Sequence, residues 1–142
     1  MKSIKSLIVT LGLFTLLGAS LASENTARLS LQATVRTICA GCFTNYSPFS
    51  GDLVKNDTAT LTFTVGSARE YTLIGACDDD CNDLNLELYA PGNKPIAKHR
   101  GLSKSPIIRA YLRPGVQYEL DVSLANCEVD VCSYAVGIYR NR

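Results

Sequence analysis

Residues Tyr71 to Tyr89 read YTLIGACDDDCNDLNLELY, two strand-like runs on either side of a short acidic loop closed by Cys77 and Cys81. In the first run Tyr71, Leu73 and Gly75 alternate with Thr72 and Ile74; in the second Leu84, Leu86 and Leu88 alternate with Asn85 and Glu87. A period of two marks a strand with one buried face. Between the runs, Asp78, Asp79, Asp80 and Asp83 gather four carboxylates into six positions. That density needs solvation, a basic partner or a cation to offset the mutual repulsion. The loop is therefore the first candidate site.

The same alternation recurs to either side. Leu61, Phe63 and Val65 alternate with threonines upstream, residues suited to a half-exposed strand. Downstream come a short run from Pro95 to Lys98, then Ile107 to Leu112, then Tyr118, Leu120, Val122 and Leu124, and last Tyr134 to Tyr139. Ala90-Pro91-Gly92-Asn93 and Arg113-Pro114-Gly115 punctuate them as turns, and Ser47-Pro48 and Ser50-Gly51-Asp52 read as turn signals as well. About seven or eight short strands with turns at this spacing predict an antiparallel β-sandwich. Its core is expected from Leu61, Phe63, Leu73, Leu86, Leu88, Leu120, Val122, Val136 and Ile138, each on the apolar side of its run. Ser23 to Asn45 fits both periods: Leu29, Leu31, Ala33 and Val35 alternate, while Leu31, Val35, Ile38 and Cys42 recur at helical spacing. A short helix is the favoured reading there.

At the start, Lys2 and Lys5 precede an apolar run from Leu7 to Leu17 and the small residues Ser20 and Ala22. The pattern is that of a secretory signal peptide cut before Ser23, and the apolar run is shorter than the roughly 20 residues of a membrane span. No cysteine follows the expected cut, which argues against a lipid anchor. The expected organisation is a signal peptide over 1–22, an N-terminal segment of short helix or strand over 23–48, and a sandwich domain over 49–142. Without Lys2 and Lys5, twelve basic residues face thirteen acidic ones, a net charge of −1 with His99 neutral. So even a balance gives no general pull toward nucleic acid, and no later apolar run would hold the mature chain in a membrane.

Six cysteines form three local doublets, Cys39/Cys42, Cys77/Cys81 and Cys127/Cys132. An even count in an exported chain favours disulfides. Of the 15 pairings that six cysteines allow, pairing within each doublet is the simplest. A zinc site lacks a second tight doublet with a matching histidine. Cys39-Ala40-Gly41-Cys42 also has the spacing of a thiol-disulfide motif, though without the βαβ context such motifs occupy. His99 is the single histidine, and no G-x-S-x-G elbow accompanies it, so no catalytic arrangement emerges. Tyr46, Tyr71, Tyr89, Tyr111, Tyr118, Tyr134 and Tyr139 either line a carbohydrate- or peptide-binding face or fill the core and strand edges.

The acidic loop admits two readings. In one, Asp78, Asp80 and Asp83 coordinate Ca²⁺, which takes six to eight oxygen ligands, at an irregular site lacking the Gly and distal Glu of an EF-hand. In the other the loop is a solvated turn stapled by Cys77/Cys81, its charge balanced by Lys98, Arg100 and Lys104 in the basic stretch from His99 to Pro106 and just before it. The second is preferred, and no cofactor is required.

The segments GACDDDCNDLNLELYAPGNKPIA and YLRPGVQYELDVSLANCEVDVCSYAVGIY resemble the bacterial pre-peptidase C-terminal domains, in particular exported forms with a G-x-C-D-x-D-C-x-D-L-x-L core. The likeness spans roughly Ser50 to Arg142. Cys77, Asp78, Asp80, Cys81, Asp83 and Leu84 match that core, while Asn85 stands where an Asp is usual and the often acidic loop downstream is basic here. The resemblance implies a jelly-roll-like β-sandwich without catalytic activity, attached to secreted peptidases or found alone; some relatives bind calcium or polymeric substrates. If a cation site drew carboxylates from both loops, half of it is missing. The expected function is thus a non-catalytic exported module with a binding or accessory role, periplasmic or secreted, toward a protein or polymer ligand. The alternatives are a small periplasmic thiol-disulfide protein using Cys39 and Cys42, or an inhibitor or partner of a secreted enzyme.

Overall fold

The computed structural model describes residues 14–38, 43–44 and 49–141. One helix, α1 (Phe14–Ile38), precedes nine strands: β1 (Phe43–Thr44), β2 (Phe49–Val54), β3 (Thr58–Phe63), β4 (Arg69–Cys77), β5 (Cys81–Ala90), β6 (Lys94–His99), β7 (Ile107–Leu112), β8 (Tyr118–Cys127) and β9 (Val131–Arg140). The first sheet orders β1-β9-β4-β7, with β2 also on β9; the second orders β3-β8-β5-β6. β1 and β2 lie one after the other along the same edge of β9, opposite Arg140–Tyr139 and Val136–Val131 respectively. Each sheet therefore has four strand positions, all paired antiparallel. The pairs nest: β5 with β6, β4 with β7, β3 with β8, and β1 and β2 with β9. This is the strand order of a jelly roll.

The turns that permit it sit where the sequence places them. Gly92 and Gly115 both take positive φ, as does Asn93 beside Gly92, a conformation in which a Cβ is costly. Between the sheets lie Phe63, Leu73, Leu86, Leu88, Leu120, Val122, Val136 and Ile138, all buried as expected; Leu61 is only half-buried and packs at the margin. In β5, β7 and β8 burial alternates residue by residue.

β4 departs from the expected one-sided strand, because it is buried from Tyr71 through Cys77. Its inner residues join the sandwich core, and its outer residues Ile74 and Ala76 meet Ala135 and Tyr139 of β9 beneath α1. The helix lays Ala27, Leu31 and Val35 onto that face, a four-residue spacing that keeps one side of a helix on the sheet. α1 is longer than the short helix expected, and it runs through the anticipated cleavage point between Ala22 and Ser23. No helix among the described residues is long and apolar enough to cross a membrane.

Polar contacts hold the helix between Ser23 and Thr34. Ser23 Oγ donates to Asp78, Ser50 Oγ donates to Glu24 Oε1 at 2.6 Å, and Thr34 Oγ1 reaches Ser105 Oγ at 3.3 Å. Arg28 pairs with Glu24 at 2.8 Å and donates to Ser50. The hydroxyl of Ser50, with Arg28 adding to it, holds the Glu24 carboxyl below its ordinary pKa. These contacts explain why Ser50-Gly51-Asp52 is strand and not turn. Ser50 anchors α1, Asp52 accepts from Ser133 Oγ at 2.5 Å, and Gly51 lies under the ring of Tyr134, whose Cε1 a Cβ would meet at 3.2 Å.

Candidate functional site

The acidic loop sits at the end of the sandwich where two disulfides cluster. Cys77 closes β4 and Cys81 opens β5, with Cα atoms 5.8 Å apart; Cys127 closes β8 and Cys132 lies in β9, 6.1 Å apart. Both bonds are local in sequence, as expected, yet each joins one sheet to the other. Cys81 and Cys127 are register partners, so the two staples stand side by side. Cys39 and Cys42 lie outside the described residues.

Within the loop the four aspartates have separate fates. Asp78 is 3% exposed; its Oδ2 accepts from Ser133 N at 2.7 Å and from Ser23 Oγ, while its Oδ1 is buried without a hydrogen bond. Asp79 and Asp80 face solvent and use main-chain oxygens, Asp79 O accepting from Lys104 Nζ at 2.9 Å and Asp80 O from Glu128 N at 2.8 Å. Asp83 is half-buried, with Oδ1 unpartnered. Asp78, Asp80 and Asp83 are not gathered: among the described residues no three His, Cys, Asp or Glu side chains stand together as metal ligands would.

The basic stretch does not face the acidic loop as a unit, contrary to expectation. Pairing of β5 with β6 sets Lys98 opposite Glu87, and Arg100 donates Nε to Glu87 Oε1 at 2.5 Å. Tyr89 donates its hydroxyl to the other Glu87 oxygen at 2.7 Å. That phenol, then Arg100 and Lys98, draws the Glu87 carboxyl below its ordinary pKa, and Glu87 in turn raises that of Tyr89. Of Lys98, Arg100 and Lys104, the last is the one bonded to the acidic loop among the described residues. His99 is half-buried with Nδ1 unbonded.

Of the tyrosines, Tyr71, Tyr118, Tyr134 and Tyr139 are buried, whereas Tyr111 is 61% exposed. It flanks a recess of about 420 Å³ where the β6 edge of one sheet meets the β7 edge of the other. Lys94, Pro95 and Ile96 from the β6 side and Tyr111, Arg113, Val116 and Tyr118 from β7 to β8 are among the residues that line it. Alternation places Tyr111 outside: Ile108, Ala110 and Leu112 face the core, so Tyr111 faces away. Tyr118 stacks against Phe63, with ring centroids 5.8 Å apart, and accepts from Arg113 N at 2.9 Å. The recess is thereby tied to the core. The sequence offered Tyr111 only as one of seven equivalent tyrosines and did not mark Lys94 or Arg113 at all, because charged residues beside turns look like ordinary solvated surface.

These features define a jelly-roll β-sandwich with a helix over one outer face, a disulfide-stapled end, and an aromatic, cationic recess at the opposite end. No protein-family model matches the chain, and no curated protein matches it. Among solved structures, the chain is similar to the pre-peptidase C-terminal domain of a collagenase from Bacillus anthracis. The identity is 18% over 65% of this chain and 87% of that one, with a TM-score of 0.51. It is also similar to the Yersinia pseudotuberculosis-derived mitogen, 14% identical over 70% of this chain and 88% of that one, again with a TM-score of 0.51. At such identities the likeness is one of fold. A pre-peptidase C-terminal domain is thus among the structures that share the architecture the motif resemblance implied.

Proposed function

We propose that this chain is an exported, non-catalytic binding module that takes a segment of an acidic polysaccharide in the recess between β6 and β7. The observation that carries the reading is the pairing of an exposed aromatic face, Tyr111, with two cations, Lys94 and Arg113, across one open recess. A tyrosine ring offers a sugar both an apolar face to stack on and a hydroxyl at its edge. Lysine and arginine supply the charge that a uronate or sulfate would meet. Exposed aromatic surface on a rigid β-scaffold is where a binding face is expected. Export is supported by the two inter-sheet disulfides, which persist in oxidising compartments, and by the leader-like N terminus. That segment is read as a signal peptide over 1–22.

Affinity electrophoresis of the oxidised protein through gels containing an acidic polysaccharide, a neutral one or polyglutamate tests the proposal. Retardation by the acidic polysaccharide is expected, weakened at least tenfold by Tyr111→Ala or Arg113→Ala with the fold intact. Retardation by polyglutamate alone would identify an acidic peptide as the ligand. Retention by the acidic polysaccharide that both variants leave unchanged would remove the recess from the reading.

A further inference from the structure

Asp78 presents an unmet requirement. Its carboxylate is buried, Oδ1 accepts no hydrogen bond, and among the described residues no lysine, arginine or histidine is paired with it. A buried carboxylate left with a bare oxygen is costly, and a positive partner or further donors relieve it. Its other oxygen, Oδ2, accepts from the backbone N–H of Ser133 at 2.7 Å and from Ser23 Oγ, both neutral donors. Ser23 is also the residue that follows the expected leader cut, with Ser20 and Ala22 supplying the small residues before it.

We infer that removal of the leader creates the partner of Asp78: the new α-ammonium of Ser23, at the head of a helix shortened to Ser23–Ile38, seats on the buried carboxylate and locks α1 onto the first sheet. In the uncut chain the Ser23 nitrogen is an amide inside a continuous helix, committed to the carbonyl four residues before it. Cutting before Ser23 turns that nitrogen into an ammonium three covalent bonds from the Oγ already in contact. It also frees the N–H groups of the new first turn, whose partial positive charge favours an adjacent anion. The apolar anchors Ala27, Leu31 and Val35 lie beyond the cut and stay on the sheet. Maturation thus converts an under-satisfied buried acid into an ion pair, and tight docking of the helix depends on the cut. The inference rests on the export reading alone. Asp78 and the recess lie at opposite ends of β5, about 30 Å apart by strand rise, so loss of one does not imply loss of the other.

Intact mass and N-terminal sequencing of the exported protein should give Ser23 as the first residue; any other start overturns the inference. The oxidised chain beginning at Ser23 is then melted with its α-amine free and selectively acetylated. Acetylation normally favours a helix, because it removes a positive charge from the positive end of the dipole. The opposite sign is expected here, a fall of several degrees in melting temperature, and Asp78→Asn should abolish the fall. Should Asp78→Asn fail to fold, Ser23→Gly keeps the ammonium while deleting the hydroxyl and should retain the full acetylation effect. An unchanged or raised melting temperature on acetylation, or a fall that persists in Asp78→Asn, refutes the lock.

Discussion

Gly137 sits in the middle of β9 on the face covered by α1, and a Cβ built there would lie 2.1 Å from the hydroxyl oxygen, 2.4 Å from Cζ and 2.5 Å from Cε2 of Tyr139. A flexible side chain would swing away at little cost. Tyr139 is not free to do so, being buried between β9 and the helix with Ala27, Leu31 and Ile74. Gly137→Ala must therefore push the ring into α1 or the helix off the sheet. Overpacking of this kind costs about 1–3 kcal/mol, against about 0.5–1 kcal/mol regained because alanine loses less backbone entropy than glycine. The expected net loss is about 0–2.5 kcal/mol, read as a lowered urea midpoint at unchanged slope. Tyr139→Ala removes the obstacle, so adding Gly137→Ala in that background should be neutral or slightly stabilising. A cycle in which Gly137→Ala has the same effect in both backgrounds refutes the account of how the helix is seated.

Replacing either disulfide by a serine pair should cost about 2 kcal/mol in the chain-entropy estimate for loops this short, and non-reducing peptide mapping should recover Cys77 with Cys81 and Cys127 with Cys132. The Glu87 carboxyl is held below its ordinary pKa by Tyr89, Arg100 and Lys98, so its contribution is full above the unfolded carboxylate pKa and vanishes as pH falls through the lower folded value. The difference in melting temperature between wild type and Tyr89→Phe should accordingly be present at neutral pH and shrink toward nothing in strong acid; a constant gap would assign the loss to packing. Millimolar calcium should leave the melting temperature unchanged, with or without chelator, because Asp78 is turned onto the backbone of Ser133 and not toward a shared ligand position with Asp80 and Asp83. A reversible rise of several degrees would restore the metal reading.

The parts of the fold that sequence made legible are those where one face is wet. Leu84, Leu86 and Leu88 in β5, or Leu120, Val122 and Leu124 in β8, alternate with polar residues because water bathes the other side. β4 hid its second buried face, since Thr72 between Tyr71 and Leu73 reads as the mark of a wet side, while Ile74 and Ala76 on that same side are apolar. What covers Ile74 and Ala76 is decided by α1, about forty residues upstream, whose own pattern fits two periods. Ser50-Gly51-Asp52 carries turn chemistry locally, and tertiary partners override it. Asp78 is concealed by its neighbours: beside Asp79 and Asp80 it looks like one more solvated acid, and only the register of β9 reveals that Ser133 draws it inside. The doublets Cys77/Cys81 and Cys127/Cys132 disclosed their pairing but not that each bond crosses between sheets, which requires the topology.

The nesting of the strand pairs dictates an order of assembly. β5 and β6 are joined by a three-residue turn and can meet at once, β4 and β7 are brought together by that hairpin, then β3 and β8, and only then does Phe49 find Val136. Each step closes a gap the previous one has shortened, which spares the chain the large loop-closure entropy of its outermost contacts. β9 is nonetheless the last of the nine strands to be synthesised, and it lies between β4 and the β1/β2 edge. During translation or translocation the first sheet therefore exists only as β4 and β7, with the place of Val136 and Ile138 in the core unfilled and β4 offering an unpaired edge. A nascent chain stopped before Val131 should bind hydrophobic dyes and holdase chaperones, and the ten residues that follow should extinguish both.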